Sequence, residues 1–252
     1  MKQDDRFEPR LTLRFGVTGH RPPRLDSSHE GRIKAEVGEL FDIARKTLSE
    51  LKETHSDAFN DDEPLLKMVS SLAEGADTIA AEAAIDAGAS LSVCLPFAPE
   101  VYARDFADKD WQRSAALIDK ASSTMVLEGY SSGAEAGYEM AGQIVLSQCD
   151  ILIAIWDGEA ARGRGGTTQV IAEAVARHQP VIHIDAHGKE EPQLLWSGLH
   201  AAIPDSTQRV IPQSMGPFVS LVSRRSCSPC TGTPAPNQTC CMTFADGKET
   251  SA

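Results

Sequence analysis

The sequence predicts an α/β fold, a doubly wound and mainly parallel sheet with helices on both faces. Short apolar runs rich in β-branched residues alternate with segments of helical periodicity, which is typical of parallel strands joined by crossover helices. One run, ILIAIW (151–156), is apolar at every position, as expected for a central strand that helices cover on both sides. Polar or glycine-rich loops follow several predicted strands, where such sheets bind ligands.

The predicted elements follow one another in a regular order. The first strand, 11–19, ends at a loop with two prolines, and Ser27 and Glu30 form a predicted capping box for a helix whose apolar positions run from Ile33 to Leu51. The later strands start in LLKMVSSLA and continue at 91–97, 124–129, 151–156 and 180–186. The helices between them cover TIAAEAAIDA, 110–121, 134–148 and the segment after Thr168.

The composition divides the chain of 252 residues into three parts. Residues 1–10 form an N-terminal extension, 11–223 the folded domain, and 224–252 a tail that contains no Leu, Ile or Val. Within the domain, 187–223 is an extension with mixed signals, in which QLLWSGLHAAI is consistent with a helix. The tail carries Cys227, Cys230, Cys240 and Cys241. Disorder is favoured over a zinc site there, because adjacent cysteines poorly match a second C-x-x-C knuckle.

The charge of the chain argues against some classes of partner. It has 24 Lys and Arg against 36 Asp and Glu, a net charge of -12, which repels nucleic acid polymers and anionic membranes at long range. No run of about 18 apolar residues is present, and the first ten residues lack the apolar core of a secretory signal. We therefore expect a cytoplasmic protein that binds no nucleic acid polymer and, by this chain alone, no membrane. The sequence is consistent with either a monomer or a homo-oligomer.

Four polar or glycine-rich loops are expected to meet at the carboxyl edge of the sheet, because the parallel strands all end there. Neither a P-loop lysine nor a G-x-G-x-x-G fingerprint occurs in them. The candidate ligand-binding residues of these loops are Gly19, His20, Arg21, Ser71, Glu74, Gly75, Asp77, Tyr102, Asp157, Gly158, Arg162, Gly163, Gly165, Gly166, Thr167 and Thr168.

The glycine cluster RGRGGTT (162–168) precedes a predicted helix and indicates a phosphate site. Its glycines allow the backbone to approach an anion, and the helix N-terminus presents free amides to it. Arg21 is the predicted phosphate ligand of the first loop, because a guanidinium binds phosphate through two hydrogen bonds. His20 is equally consistent with a structural role, and Thr167 or Thr168 with a helix N-cap.

Carboxylates and one aromatic ring complete the predicted site. Glu74 and Asp157 are candidates to accept hydrogen bonds from sugar hydroxyls or base amines, and Tyr102 to stack on a base. Asp77 is as consistent with a helix N-cap as with ligand binding, and Asp157 with an ordinary Asp-Gly turn. We expect no cofactor and no metal, since His183 and His187 are not expected to converge.

Four motifs in order carry a resemblance to a known group: GVTGHR, SLAEGAD, YEMAGQIVLSQCDILIAIWDG and GRGGTTQVIAEA. Over residues 10–186 they are similar to the SLOG superfamily of Rossmann-like proteins. This group includes the Lonely guy phosphoribohydrolases, long misnamed lysine decarboxylases, and DNA processing protein A. Within it the chain looks most similar to bacterial sensor domains to which nucleotide-derived ligands are ascribed. The resemblance implies a Rossmann-like fold and a small nucleotide-type ligand.

The resemblance also separates two functions. The phosphoribohydrolases carry P-G-G-x-G-T-x-x-E, and setting its Gly-Thr on Gly166 and Thr167 puts Val170 in place of the catalytic Glu. Glu173 lies one turn further, about 4.5 Å along the helix axis, and catalysis tolerates little misplacement. We therefore expect a nucleotide-binding sensor domain. The alternative is an enzyme that cleaves or transfers the N-glycosidic bond of a nucleoside or its monophosphate, with Glu74 or Glu173 as acid or nucleophile.

Overall fold

A computed structural model describes residues 8–128, 134–159 and 166–196, and the backbone of Ser214–Pro217. Its strands are β1 (Thr12–Gly19), β2 (Leu65–Ser70), β3 (Ser90–Leu95), β4 (Ser123–Val126), β5 (Ile151–Trp156), β6 (Val181–Asp185), β7 (Gln193–Leu195) and β8 (Ser214–Pro217). Its helices are α1 (Glu30–Thr54), α2 (Ala76–Asp86), α3 (Pro99–Tyr102), α4 (Asp108–Lys120), α5 (Ala134–Gln148) and α6 (Thr167–Ala176).

The strands of the described residues form one sheet in the order β4-β3-β2-β1-β5-β6-β7-β8. Strands β1 to β6 pair in parallel, and β7 and β8 are added antiparallel at one edge. The predicted mainly parallel α/β fold is therefore confirmed. The chain builds outward from β1 to β4 and then returns to the other side of β1 as β5. Such a reversal of strand order opens a crevice at the carboxyl ends of the two strands.

Helices cover both faces of the sheet, as the apolar sequence of β5 predicts. Ile153 and Ile155 belong to the larger apolar cluster, with residues of α1 and α2, whereas Leu152 and Ala154 belong to the smaller one, with residues of α6. All four side chains are fully buried. Successive side chains of a strand point to opposite faces, so a strand covered on both faces is apolar throughout.

Two elements differ from the sequence prediction. Asp26, and not Ser27, accepts the Ser28 amide at 2.8 Å, so a 3-10 turn forms at Ser27–His29 and α1 begins at Glu30 without the predicted capping box. The segment Gln193–Leu195 is a strand rather than the start of a helix, because the edge of β6 offers it backbone partners.

Part of the predicted domain organisation falls outside the described residues. The segments that are not described include 1–7, 197–213 and 218–252, and the last of these contains the four cysteines of the tail. The division into extension, domain and tail stays a prediction. None of the helices in the described part of the chain has an apolar stretch that would cross a membrane.

Candidate functional site

A cavity of about 360 Å³ lies at the carboxyl edge of the sheet, at the crevice beside β1. Ligand pockets typically enclose about 300–1,000 Å³. Its walls come from β1 and the loop after it, the loop before α2, and helices α2, α3, α5 and α6. The described residues that line it are Val17, Thr18, Gly19, His20, Arg21, Arg24, Ser71, Ala73, Asp77, Tyr102, Glu135, Tyr138, Ala141, Gly142, Val145, Gly166, Thr167, Thr168 and Val170.

Two glycines bring the start of α2 against the loop after β1. A Cβ on Gly19 would lie 2.3 Å from the Ala76 Cβ, so a larger residue would force the two elements apart. Gly75 has a φ of 89°, which favours glycine, and a Cβ there would lie 2.7 Å from the His20 carbonyl oxygen. The Ala76 amide donates to that oxygen at 3.1 Å. This close approach places Asp77, in the first turn of α2, at the cavity.

Asp157, directly after β5, ties the first loop to the sheet. Its carboxylate accepts hydrogen bonds from Arg24 Nη2 at 2.6 and 2.8 Å and lies 2.9 Å from His20 Nε2. Burial alone would raise the pKa of this carboxyl, but hydrogen bonds from His20, the Glu159 amide and Arg24 hold it well below its usual range. Burial lowers the pKa of His20, with Asp157 acting in the opposite direction. The Asp157 carboxylate, which the sequence analysis predicts to bind a ligand, is therefore already paired with Arg24 and His20.

The first turn of α6 reaches the cavity through Gly166, Thr167 and Thr168. The Thr167 hydroxyl donates to the Gly19 carbonyl at 2.9 Å and the Thr168 hydroxyl to the Glu159 carbonyl at 3.2 Å. Neither threonine is the N-cap, because Gly166 holds that position without a capping side chain. The first amides of an α-helix have no acceptor within the helix, and the helix dipole favours an anion beside them.

Arg21 lines the cavity beside the ring of Tyr138. Its Cζ lies 5.1 Å from the ring centre, a cation–π contact. No carboxylate in the described ranges forms a salt bridge with it. Burial and a hydrogen bond to Asp105 raise the pKa of Tyr138 to about 12. The guanidinium is therefore held against an aromatic face and can pair with an anion in the cavity.

Asp77 is a buried carboxyl in the wall of the cavity. It accepts hydrogen bonds from the backbone amides of Ser71 and Ala73 and, at 3.5 Å, from the Ser70 hydroxyl. Burial raises the pKa of Asp77 to about 6, although the charge of Arg21 and these hydrogen bonds act in the opposite direction. The N-cap of α2 is Gly75, so capping does not account for Asp77. A carboxyl that titrates near neutral pH thus lies within the cavity.

Tyr102 is fully buried at the end of α3 and also lines the cavity. Its ring lies among those of Phe97, Phe106, Trp111 and Tyr138, at centre distances of 6.4, 4.9, 6.2 and 6.3 Å, and presents no open face to a base. Its hydroxyl has no hydrogen-bond partner among the described residues. Leaving a buried polar group unpaired costs about 1–3 kcal/mol. Burial raises the pKa of this phenol far above its usual value, so it stays a donor.

The cavity brings together part of the predicted site. The predicted residues that line it are Gly19, His20, Arg21, Ser71, Asp77, Tyr102, Gly166, Thr167 and Thr168. The described lining does not include Glu74, Gly75, Asp157 or Gly158, and Arg162, Gly163 and Gly165 lie outside the described residues. Glu173, in α6, forms a salt bridge with Arg177, the residue that follows this helix. Glu173 is likewise absent from the described lining of the cavity. The two carboxylates proposed for catalysis are thus not placed at the cavity.

One wall of the cavity has no counterpart in the predicted site. Glu135, Tyr138, Ala141, Gly142 and Val145 line it from α5. Helical periodicity predicts a common face for Tyr138, Ala141 and Val145, but such a face is as typical of a core. The signal that would have found this wall is positional, since α5 follows β4 and therefore begins at the same carboxyl edge.

No protein-family model matches the chain, and no curated protein matches it. Several solved structures, in contrast, are similar to the chain. DNA processing protein A from Streptococcus pneumoniae is 19% identical with a TM-score of 0.44, over 68% of this chain and 50% of that one. The protein TM1055 is 16% identical with a TM-score of 0.39, over 68% and 72%. DNA processing protein A from Helicobacter pylori is 14% identical with a TM-score of 0.40, over 69% of each chain.

These similarities concern the fold. The chain spans half the length of the Streptococcus pneumoniae protein that it matches. DNA processing protein A, which the sequence resemblance also names, is among these structures. The Helicobacter pylori structure is described for its single-stranded DNA binding mode. The comparisons do not support the expectation that this chain binds no nucleic acid polymer, and it stays a prediction.

Proposed function

We propose that the protein binds a nucleotide or a nucleotide-derived small ligand in this cavity, as a ligand-sensing domain. The observation that carries the proposal is the convergence of Arg21 and the first turn of α6 on one cavity. Proteins bind phosphate with guanidinium groups and with the amides of a helix N-terminus, and Arg21 forms no salt bridge with any of the residues that the structure describes. The volume of about 360 Å³ is suited to a small ligand.

The distribution of charge supports a small phosphate ligand over a polymer. The chain as a whole carries a net charge of -12, which repels an extended phosphate backbone. Among the described residues of the cavity lining, Arg21 is the cation that a ligand can neutralise, because Arg24 is already paired with Asp157. A small anion needs only such local contacts.

Binding without cleavage is supported by Val170. This residue occupies the position that the resemblance assigns to the catalytic Glu of the phosphoribohydrolases, and it lines the cavity as an apolar side chain. We therefore expect the purified protein to release no free base from any nucleotide that it binds. Chromatography of each nucleotide after incubation with the protein measures this. Release of base at a rate proportional to enzyme concentration would show catalysis instead.

The test of binding is a thermal-shift screen followed by calorimetry. The probes are AMP, GMP, ADP-ribose, cyclic dinucleotides and a single-stranded DNA oligonucleotide. A ligand at 100 times its Kd stabilises a protein by about 2.7 kcal/mol, which raises the Tm of a domain of this size by about 5–10 °C. A screen in which no nucleotide raises Tm, or in which only the oligonucleotide binds, would contradict the proposal.

The variant Arg21→Ala tests whether the phosphate of the nucleotide binds at Arg21. We expect this substitution to weaken nucleotide binding about 10- to 100-fold, because it removes a charge-assisted hydrogen-bond donor from the cavity. Arg177→Ala is the matched control, since Arg177 is exposed and pairs with Glu173 away from the cavity. Calorimetry of both variants decides the point. Wild-type affinity in Arg21→Ala would rule out this phosphate site.

A further inference from the structure

Asp77 and Tyr102 are two buried polar residues of the cavity wall that the proposed phosphate contacts do not use. Both residues line the cavity, although Asp77 is only 6% and Tyr102 0% exposed. They come from different helices, α2 and α3. Burial is the main cause of the raised pKa of the Tyr102 phenol, and the negative charge of Asp77 raises that pKa further. We call them the Asp77–Tyr102 pair.

Tyr102 supplies the pair with a hydrogen-bond donor. Its hydroxyl is buried and has no partner within the described ranges of the chain. Its ring is packed among Phe97, Phe106 and Trp111, so it cannot turn away to find a partner elsewhere. A ligand atom that accepts a hydrogen bond would satisfy it.

Asp77 supplies the pair with an acceptor and a negative charge. A carboxylate offers about four lone-pair positions. The Ser70 hydroxyl and the amides of Ser71 and Ala73 occupy three of them, which leaves one for a ligand. With a pKa of about 6, the carboxyl is mostly ionised at pH 7.5 and repels a phosphate oxygen.

We propose that the Asp77–Tyr102 pair binds a sugar hydroxyl of the nucleotide. The proposal rests on the proposed function and adds the orientation of the nucleotide in the cavity. The phosphate lies at Arg21 and the first turn of α6, and the ribose lies at the Asp77–Tyr102 pair. A hydroxyl both donates and accepts, so it donates to Asp77 and accepts from Tyr102. A phosphate at the same place would meet a carboxylate, and an apolar group would leave both side chains unpaired.

Calorimetry on the full chain at pH 7.5, with AMP, GMP, ADP-ribose and inorganic phosphate, tests the pair. We expect Tyr102→Phe to weaken nucleotide binding about 5- to 10-fold and to leave the affinity for inorganic phosphate unchanged. We expect Asp77→Asn to weaken nucleotide binding about tenfold without weakening the binding of inorganic phosphate, because the substitution removes a negative charge that acts on Arg21. Asp86→Asn is the control, because Asp86 is an exposed residue in the last turn of the same helix. Tyr102→Phe removes one unpaired oxygen, so without ligand its Tm is expected to equal or exceed that of the wild type.

A change in the ligand separates the sugar from the base. We expect the wild type to bind AMP about tenfold more tightly than its 2′,3′-dideoxy analogue, and Tyr102→Phe to show a smaller difference, because the two changes remove the same contact. Equal discrimination by both proteins would overturn the sugar assignment. Unchanged nucleotide affinity in Tyr102→Phe, or an equal loss of phosphate affinity, would overturn the pair. Failure of all three nucleotides to bind the wild type would instead contradict the proposed function, and the pair with it.

Discussion

At the scale of single residues, Asp77 couples folding to pH. Burial raises its pKa from an ordinary 3.8 to about 6. Between these two values the folded chain holds a proton that the unfolded chain has released, so the folded state binds more protons. Stability is therefore expected to fall as pH rises through this window, by about 3 kcal/mol in total, and the loss is complete above the folded pKa.

We expect Asp77→Asn to remove this component of the pH dependence, because the amide does not ionise. Relative to the wild type, its free energy of unfolding is expected to rise by about 1.4 kcal/mol between about pH 5 and about pH 7.5, because this range covers about one pKa unit of the window. Urea denaturation at a series of pH values measures the difference, with Asp86→Asn as the control. Parallel profiles for Asp77→Asn and the wild type would show that Asp77 is not a buried titrating group.

The sequence identifies some individual site residues and not others, for a physical reason. Gly19, Arg21 and Thr167 follow strand ends or begin a helix, so parallel topology alone brings them to one edge. The partners of Asp157 depend on tertiary geometry, since Arg24 is 133 positions away in the chain. A sequence likewise cannot show that the Tyr102 hydroxyl lacks a hydrogen-bond partner among the described residues, because this depends on the groups that surround the hydroxyl in the fold.

At the scale of elements, one carboxylate joins the loop after β1 to the end of β5. We expect Asp157→Asn to destabilise the protein by about 2–4 kcal/mol, because Arg24 and the buried His20 lose a charged partner. Nucleotide affinity is expected to fall as well, since Arg21 belongs to the same loop. Urea denaturation and calorimetry measure the two effects.

Asp150→Asn is the matched control for that prediction. Asp150 lies just before the opposite end of β5 and accepts the Arg14 amide at 2.8 Å. An asparagine retains an oxygen for this bond, so we expect a change of less than about 0.5 kcal/mol. If the two variants lose the same stability, Asp157 has no special role in holding the loop.

Elements with a strong local pattern were predictable, whereas elements that depend on distant partners were not. The run at 151–156 is apolar throughout and coincides with β5. The predicted capping box does not form because Asp26 caps a 3-10 turn through the Ser28 amide and the Glu30 amide donates to the Ser27 carbonyl instead of the Ser27 side chain. Strand β7 forms by antiparallel pairing with β6, which leaves no signature in three residues. Helix α3 spans four residues, too few to show a helical period.

At the scale of the whole molecule, topology determines where a ligand can bind. The strand order reverses beside β1, and the helices that start at that edge point their N-termini toward the crevice. An acidic chain with a net charge of -12 thus presents a local arrangement suited to a small anion. The doubly wound sheet was predictable from alternating patterns, but the volume of the cavity and its α5 wall emerge only when the elements pack.

Hydrogen–deuterium exchange tests the central claim most directly, because it locates a bound ligand along the chain. It is measured on the wild type with and without a saturating concentration of the nucleotide that gives the largest thermal shift. We expect slower exchange in peptides that cover 18–21, 71–77 and 166–170, and no change in 113–120, a segment of α4 outside the described cavity lining. Unchanged exchange at all three cavity segments, or slower exchange confined to other parts of the chain, would contradict a nucleotide site at this edge of the sheet.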